Sequence, residues 1–130
     1  MKTHTDLIVW QKSISLVKIV YRVTENFPDT EKFGLVNQMR RCAVSIPSNI
    51  AEGNARMGDP EFRQFLKIAY GSSAELETQL VIAQELGFLS RPDFDTVQEL
   101  LVEVRKMLNV FIANLTANSY TYGNTLHTSR

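Results

Sequence analysis

Between Leu7 and Phe27 the apolar positions Leu7, Trp10, Ile14, Val17 and Tyr21 recur at steps of three and four, the period of one helix face. The spacing predicts a first helix, with Thr5 or Asp6 as N-cap. Phe27-Pro28-Asp29 stops it, because proline disfavours helical geometry at the residue before it. Leu16, Ile19, Val20 and Val23 widen the stripe beyond what one neighbouring layer covers. A helix apolar on most sides is buried on most sides, and self-association is the expected cover.

A second helix is predicted over about 30–55, with Leu35, Met39, Cys42, Ala43, Ile46 and Ile50 on one face. Pro47 lies inside it, where it deletes one backbone hydrogen bond and crowds the carbonyl of Ala43, so a kink is expected, with Ser45 and Ser48 helping to satisfy the freed groups. Asp59-Pro60-Glu61 opens a third helix with an acid cap and a first-turn proline. Phe62, Leu66, Ala69, Ser73, Leu76, Leu80 and Ala83 then alternate steps of four and three as far as Gly87, the seam of a helix packed at a shallow angle. Within it, Gly71-Ser72-Ser73-Ala74 is small enough to admit another helix closely, although Gly71 costs up to ~1 kcal/mol relative to alanine. Ser90-Arg91-Pro92-Asp93 starts a fourth helix, whose stripe runs through Val97, Leu100, Leu101, Val104, Met107, Leu108, Phe111 and Leu115 to about Asn118.

Nothing sustains a strand period of two. Four helical segments joined by short connections predict an all-α, antiparallel up-down four-helix bundle over residues 1–118, with a kinked second helix. Residues 119–130 carry Thr, Asn, Gly and Ser without periodicity and are expected to be a disordered tail.

Composition alters this picture little. At 130 residues, with 44% hydrophobic and 22% charged, the chain is an ordinary single globular domain. Its longest apolar runs are a few residues, far from the ~20 that cross a bilayer, and the N-terminus has no signal-peptide pattern. Cys42 is the single cysteine, which excludes an intrachain disulfide. A cytoplasmic protein is expected. Formal net charge is zero, which removes the simplest argument for nucleic-acid binding. The distribution is uneven: residues 1–67 carry ten Lys/Arg against seven Asp/Glu, and residues 68–130 four against seven.

Candidate chemistry is sparse. His4 and His127, the two histidines, lie near the chain ends where fraying is expected, so a histidine-based triad is not foreseen. Cys42 falls on the apolar face of helix two, as a small inert core residue does. Glu52, Glu75, Glu77, Glu85, Glu99 and Glu103 lack the Glu-x-x-His partner of di-metal bundle sites, and no phosphate-binding glycine loop is present. No enzyme, metal or cofactor is expected. Arg41, Ser45, Asn49 and Glu52 share a face of helix two. They are candidates for a structural polar network with Glu75 or Gln79, since buried charges persist where paired. Arg40, Arg41, Arg56, Arg63 and Lys67 are candidate phosphate contacts for RNA.

The early Trp10-Gln11-Lys12, Tyr21 with Phe27-Pro28, and the run from Gln38 through Arg40-Arg41-Cys42-Ala43-Val44-Ser45-Ile46-Pro47-Ser48-Asn49-Ile50-Ala51-Glu52-Gly53 carry a resemblance. It continues through Phe65-Leu66, Gly71-Ser72-Ser73, Glu75-Leu76-Glu77-Thr78-Gln79-Leu80 and Leu86-Gly87-Phe88-Leu89. Over residues 7–116 the chain resembles the small bacterial four-helix-bundle proteins encoded within intervening sequences of 23S ribosomal RNA genes. Cys42 stands where that family commonly has alanine. The resemblance implies a left-handed up-down bundle assembled into a ring-like homopentamer. It also implies similarity to the accessory variability determinant of diversity-generating retroelements, which binds a reverse transcriptase and nucleic acid through basic surfaces. Two readings stay open. One is a non-enzymatic homo-oligomer that binds structured RNA or a ribonucleoprotein through a basic patch. The other is a structural or protein–protein scaffold without a nucleic-acid role.

Overall fold

The structure, a computed structural model, describes residues 3–125, with side chains as far as Thr116. Four helices carry the chain: α1 (Ile8–Thr24), α2 (Leu35–Asn54), α3 (Asp59–Glu85) and α4 (Arg91–Thr125). No strand occurs among the described residues. Short 3-10 turns at His4–Asp6 and Asp29–Glu31 precede α1 and α2.

Local chemistry sets the ends. Thr3, rather than Thr5 or Asp6, supplies the N-terminal cap: its hydroxyl accepts from Thr5 N at 3.2 Å, and Asp6 Oδ2 accepts from Thr3 N at 3.3 Å. That reciprocal pair closes a 3-10 turn, and α1 starts after it without a side-chain cap. The Asp29–Glu31 turn likewise delays α2 from the expected 30 to Leu35. α3 ends as expected at Gly87, whose φ of 78° is left-handed, while Phe88 N donates to Ala83 O and Gly87 N to Gln84 O. Ser90 Oγ accepts from Asp93 N at 3.2 Å to open α4. This helix runs beyond Asn118 to Thr125, since a nucleated helix propagates at little cost through residues of middling propensity. The last part of the expected tail, 126–130, lies outside the described residues.

α1 packs on α2 and α4, and α3 packs on α2 and α4, while no Cα of α1 lies within 8 Å of one in α3 among the described residues. This closed cycle fits a bundle around one core. Every position of the predicted α3 seam, Phe62, Leu66, Ala69, Ser73, Leu76, Leu80 and Ala83, is buried. α2 contributes Val36, Met39, Cys42, Ala43, Ile46 and Ile50, and α4 contributes Val97, Leu101, Val104, Leu108 and Leu115. Pro47 is buried within α2. The hydroxyl of Ser45 does not turn to the freed backbone: it pairs with Ser72 Oγ at 2.8 Å and accepts from Asn49 Nδ2 at 3.0 Å. Asn49 Nδ2 is the group that reaches a backbone carbonyl, that of Ser45, at 2.8 Å.

Two expectations change. In α1 the buried stripe is Val9, Ser13, Leu16, Val20 and Val23. Trp10, Ile14 and Val17 are half-buried and Tyr21 is exposed, at the rim of the core. With two adjacent apolar stripes, periodicity alone does not choose the inward one. Ser13 disguised it, its hydroxyl satisfied by Trp10 O at 2.8 Å. Of the stretch Gly71-Ser72-Ser73-Ala74 expected to admit another helix closely, Ser72 meets α2 and Ser73 is buried while Gly71 faces open space, and α2 and α3 cross tightly at Gly53. A Cβ built there would lie 2.6 Å from Phe65 Cβ, whereas one built on Gly71 meets nothing within 4 Å.

Candidate functional site

The α2 stripe singled out in the sequence forms one wall of a polar groove of about 330 Å³ between α2 and α3, lined by Asn37, Gln38, Arg41, Cys42, Ser45, Ser72 and Glu75. The two serine hydroxyls bridge its floor, with Asn49 donating to Ser45 from one side. Cys42 is buried, and its thiol is pushed up to about 11 by burial first, then by the Glu75 charge and the hydrogen bond the thiol donates to that carboxylate, against a smaller opposing bond from Gln79. At neutral pH the thiol stays protonated and is no nucleophile. Gln79 is buried beside it, with Oε1 unpaired.

The structure therefore brings Arg41, Ser45, Asn49, Glu75 and Gln79 to one groove region. Glu52 belongs elsewhere: its carboxylate is 3.9 Å from Arg56. The five candidate phosphate-binding cations are dispersed. Arg40 turns to α1, where Nε donates to Thr24 Oγ1 at 3.0 Å, a terminal nitrogen donates to Tyr21 O at 3.3 Å, and the guanidinium lies 4.5 Å from the Tyr21 ring centre. Arg56 sits over Phe65 at 5.0 Å. Arg63 is half-buried and Lys67 exposed on the first turns of α3, and Arg41 is exposed on α2. At a helical rise of 1.5 Å per residue, Arg41 and Arg56 are roughly 20 Å apart along the bundle. Arg56, Arg63 and Lys67 share the end where α2 hands over to α3, apart from Arg40 and Arg41.

Of the candidate carboxylates, Glu52, Glu77 and Glu103 sit in ion pairs. Glu77 accepts from Arg105 at 2.8 Å and from Gln98 Nε2 at 3.1 Å, with Arg105 5.0 Å from the Tyr70 ring centre. Glu103 meets Lys12 at 3.2 Å. Among the described residues no group of three or more His, Cys, Asp or Glu is placed to hold a metal ion. His4 is not frayed but packs edge-on against Trp10, ring centres 5.1 Å apart, while His127 lies outside the described residues. The Glu77–Arg105–Gln98 cluster and the Arg40–Tyr21 stack were missed by sequence reasoning, because each joins helices whose mutual rotation no periodicity supplies.

Apolar surface is more prominent than polar chemistry. Trp10, Ile14, Val17, Val44, Pro47 and Ala51, with His4 and Ser48, line a groove of about 300 Å³ between α1 and α2. A second groove, of about 530 Å³, lies between α1 and α4, lined mainly by Leu7, Ile8, Met107, Val110 and Phe111. α3 exposes Ile68, Val81, Ile82 and Leu86 outward, and Phe33 (87% exposed) and Met57 (94%) stand on the α1–α2 and α2–α3 connections. No described helix is long and apolar enough to cross a membrane.

These features define a class first: an all-helical, four-helix protein with one core, a polar seam between its central helices and several uncovered apolar faces. The chain belongs to the 23S rRNA-intervening sequence protein family, whose defining sequence pattern matches residues 5–110. It is also similar in fold to a crystal structure of a protein of unknown function from the S23 ribosomal protein family of Bacteroides thetaiotaomicron. That likeness has a TM-score of 0.76 at 22% identity and spans 82% of this chain and 96% of that one. No curated protein matches the sequence significantly.

Proposed function

We propose that this chain is a non-catalytic, self-assembling interaction protein. In this reading it is an antiparallel up-down bundle, kinked at Pro47, that works in the cytoplasm as a homo-oligomer, a pentamer by family resemblance. The observation that carries it is the exposed apolar surface on more than one side of the bundle, in the α1–α2 groove and on the outer face of α3. Contiguous apolar patches on a soluble domain mark contact sites. Support for a non-enzymatic role comes from the described side chains: the thiol is held protonated, and Glu52, Glu77 and Glu103 are engaged by cations.

A second reading adds RNA or a ribonucleoprotein as partner, and one observation favours it: Arg56, Arg63 and Lys67 fall at one end of the bundle. Multiplied by the copies in an assembly, that end repeats these three cations around a ring, interleaved with the Glu52, Asp59 and Glu61 carboxylates. The alternative is a protein scaffold without a nucleic-acid role. Light scattering and an RNA mobility-shift titration on one purified sample separate them. An assembly whose RNA binding weakens steeply with salt, and falls when Arg56, Arg63 and Lys67 are changed together to glutamine, supports the RNA reading. An assembly that ignores RNA at low salt leaves the scaffold. A chain that stays monomeric contradicts the proposal.

A further inference from the structure

We infer that copies of this chain join head to tail, the outer stripe of α3 in one copy seating in the α1–α2 groove of the next, with Gly71 at the centre of the contact. The inference rests on the self-assembly reading above and specifies its interface.

On the outer face of α3, Gln64, Ile68, Gly71, Glu75, Thr78 and Ile82 follow at alternating steps of four and three, and all are exposed. This is the spacing of a helix–helix seam. It repeats on the solvent side the pattern that α3 uses toward the core, and it leaves Ile68 51% and Ile82 42% exposed. At its middle stands a glycine, the poorest helix former after proline. Gly53 shows what a glycine looks like when its own chain needs it, with Phe62 and Phe65 pressed against the backbone. Around Gly71 there is open space. Nothing within the chain uses its missing side chain, so the close approach it permits is to another molecule.

The chain itself supplies a matching receptor. No Cα of α1 lies within 8 Å of one in α3, so the two helices stand across the core from each other and the α1–α2 groove and the outer stripe of α3 open on different sides of the molecule. Their heights along the bundle agree. The Ser45–Ser72 hydrogen bond sets Gly71 level with Val44 and Pro47 in mid-groove, and the Gly53–Phe65 contact sets Ile68 near the Trp10 and Ala51 end. Glu75 lines the α2–α3 groove together with Gln38 and Arg41, which sets it near the height of Arg40, and Arg40 lies over Tyr21 beyond the Val17 and Val44 end of the α1–α2 groove. Rotation about an axis parallel to the helices preserves height. It carries Gly71 onto Ile14 and Pro47, Ile68 onto Trp10, and the Glu75 carboxylate toward the Arg40 guanidinium. Apolar residues thus meet apolar residues and an acid meets a base, which is why a second copy fits this face better than an unrelated partner. Such a contact uses different surfaces on the two copies, so every face is covered only when the ring closes.

Two variants test this in the full chain. Gly71→Leu places a better helix former in open space, so each subunit folds, but it blocks the seam. The expected result is unchanged helical circular dichroism with mass reduced to the single-chain 14.8 kDa. In a Cys42→Ala background, Ile14→Cys with Gly71→Cys puts two thiols on helices that stand across the core from each other within one chain. Mild oxidation is then expected to give a ladder of covalent multimers on a denaturing gel. If the unmodified chain assembles but Gly71→Leu still assembles, or the paired cysteines give no ladder, the interface is overturned while self-assembly stands. If the unmodified chain runs at 14.8 kDa, self-assembly and this interface fall together.

Discussion

Replacing Gly53 by alanine tests whether α2 and α3 are as close as described. The new Cβ would lie 2.6 Å from Phe65 Cβ, 2.9 Å from Phe62 Cδ1 and 3.3 Å from Phe62 O. Carbon atoms prefer ~3.5–4.0 Å, so the first contact is about 1 Å too short. It is also with an atom fixed to the backbone, which no rotamer change relieves. The helices must separate or shift, and the Phe62 ring, which packs edge-on against Phe111 at 5.1 Å, moves with them. Overpacking costs ~1–3 kcal/mol, and a clash with an atom fixed to the backbone falls in the upper part of that range, ~2–3 kcal/mol. Alanine recovers up to ~1 kcal/mol as the better helix former, which leaves a net loss of about 1–2 kcal/mol. For a chain of this size that lowers the melting temperature by roughly 3–8 °C. Thermal unfolding followed by circular dichroism, with both proteins at the same subunit concentration, reads the difference. A Gly53→Ala protein as stable as the parent, or more stable, would refute the close crossing.

Glu77→Ala leaves the Arg105 guanidinium partly buried without its carboxylate and is expected to cost about 1–3 kcal/mol in urea unfolding, because both side chains are at most a third exposed. Glu103→Ala removes the more exposed pair with Lys12 and is expected to cost no more than about 1 kcal/mol; equal losses would contradict the assigned burial. The Cys42 thiol should be alkylated slowly by iodoacetamide at pH 8, its reactivity rising only as pH approaches about 11. Since the unfolded thiol loses its proton near its ordinary 9.0, this residue's contribution to stability is complete below that pH and is lost as pH climbs to about 11. Labelling at pH 8 as fast as in urea would overturn the buried, carboxylate-bonded thiol. Arg40→Ala removes the bonds to Thr24 and Tyr21 and should lower stability by about 1–2 kcal/mol in the same urea assay; no loss would contradict the bonding of this arginine to α1.

The helices were legible because their signals are local. Every position of the predicted α3 seam is buried, since each small or apolar residue at its alternating spacing meets the same side of one long helix; Gln79, polar and off that spacing, is the buried α3 residue it did not include. Gly87 and Ser90 read correctly for the same reason, each acting on its own turn. The inward face of α1 was misjudged because Leu7, Trp10, Ile14, Val17 and Tyr21 look as apolar as Val9, Leu16, Val20 and Val23, and Ser13 interrupts the stripe that is buried. Choosing between them depends on where α2 and α4 lie, which is tertiary information. The role of Gly53 went unread on similar grounds, because it rests on what faces it across a helix boundary.

The candidate site was partly legible. A shared helix face placed Arg41, Ser45 and Asn49 together, and Ser72 completed the cluster from α3. Glu52 went to Arg56 because an i, i+4 neighbour on the same helix lies nearer than the facing helix. Arg40 stands next to Arg41 in sequence, yet a helix turns adjacent residues about 100° apart, so Arg40 reaches α1 while Arg41 lines the α2–α3 groove. Proximity in sequence suggested one basic patch, and helical rotation separated it.

The measurement that bears most directly on the account is the solution mass of the full chain by light scattering across a range of concentrations at moderate salt. A stable assembly several times the single-chain 14.8 kDa is expected, about fivefold for the ring that the family resemblance implies. A mass that remains at 14.8 kDa at high concentration would contradict it, leaving the apolar faces of α1, α2 and α3 without an explanation.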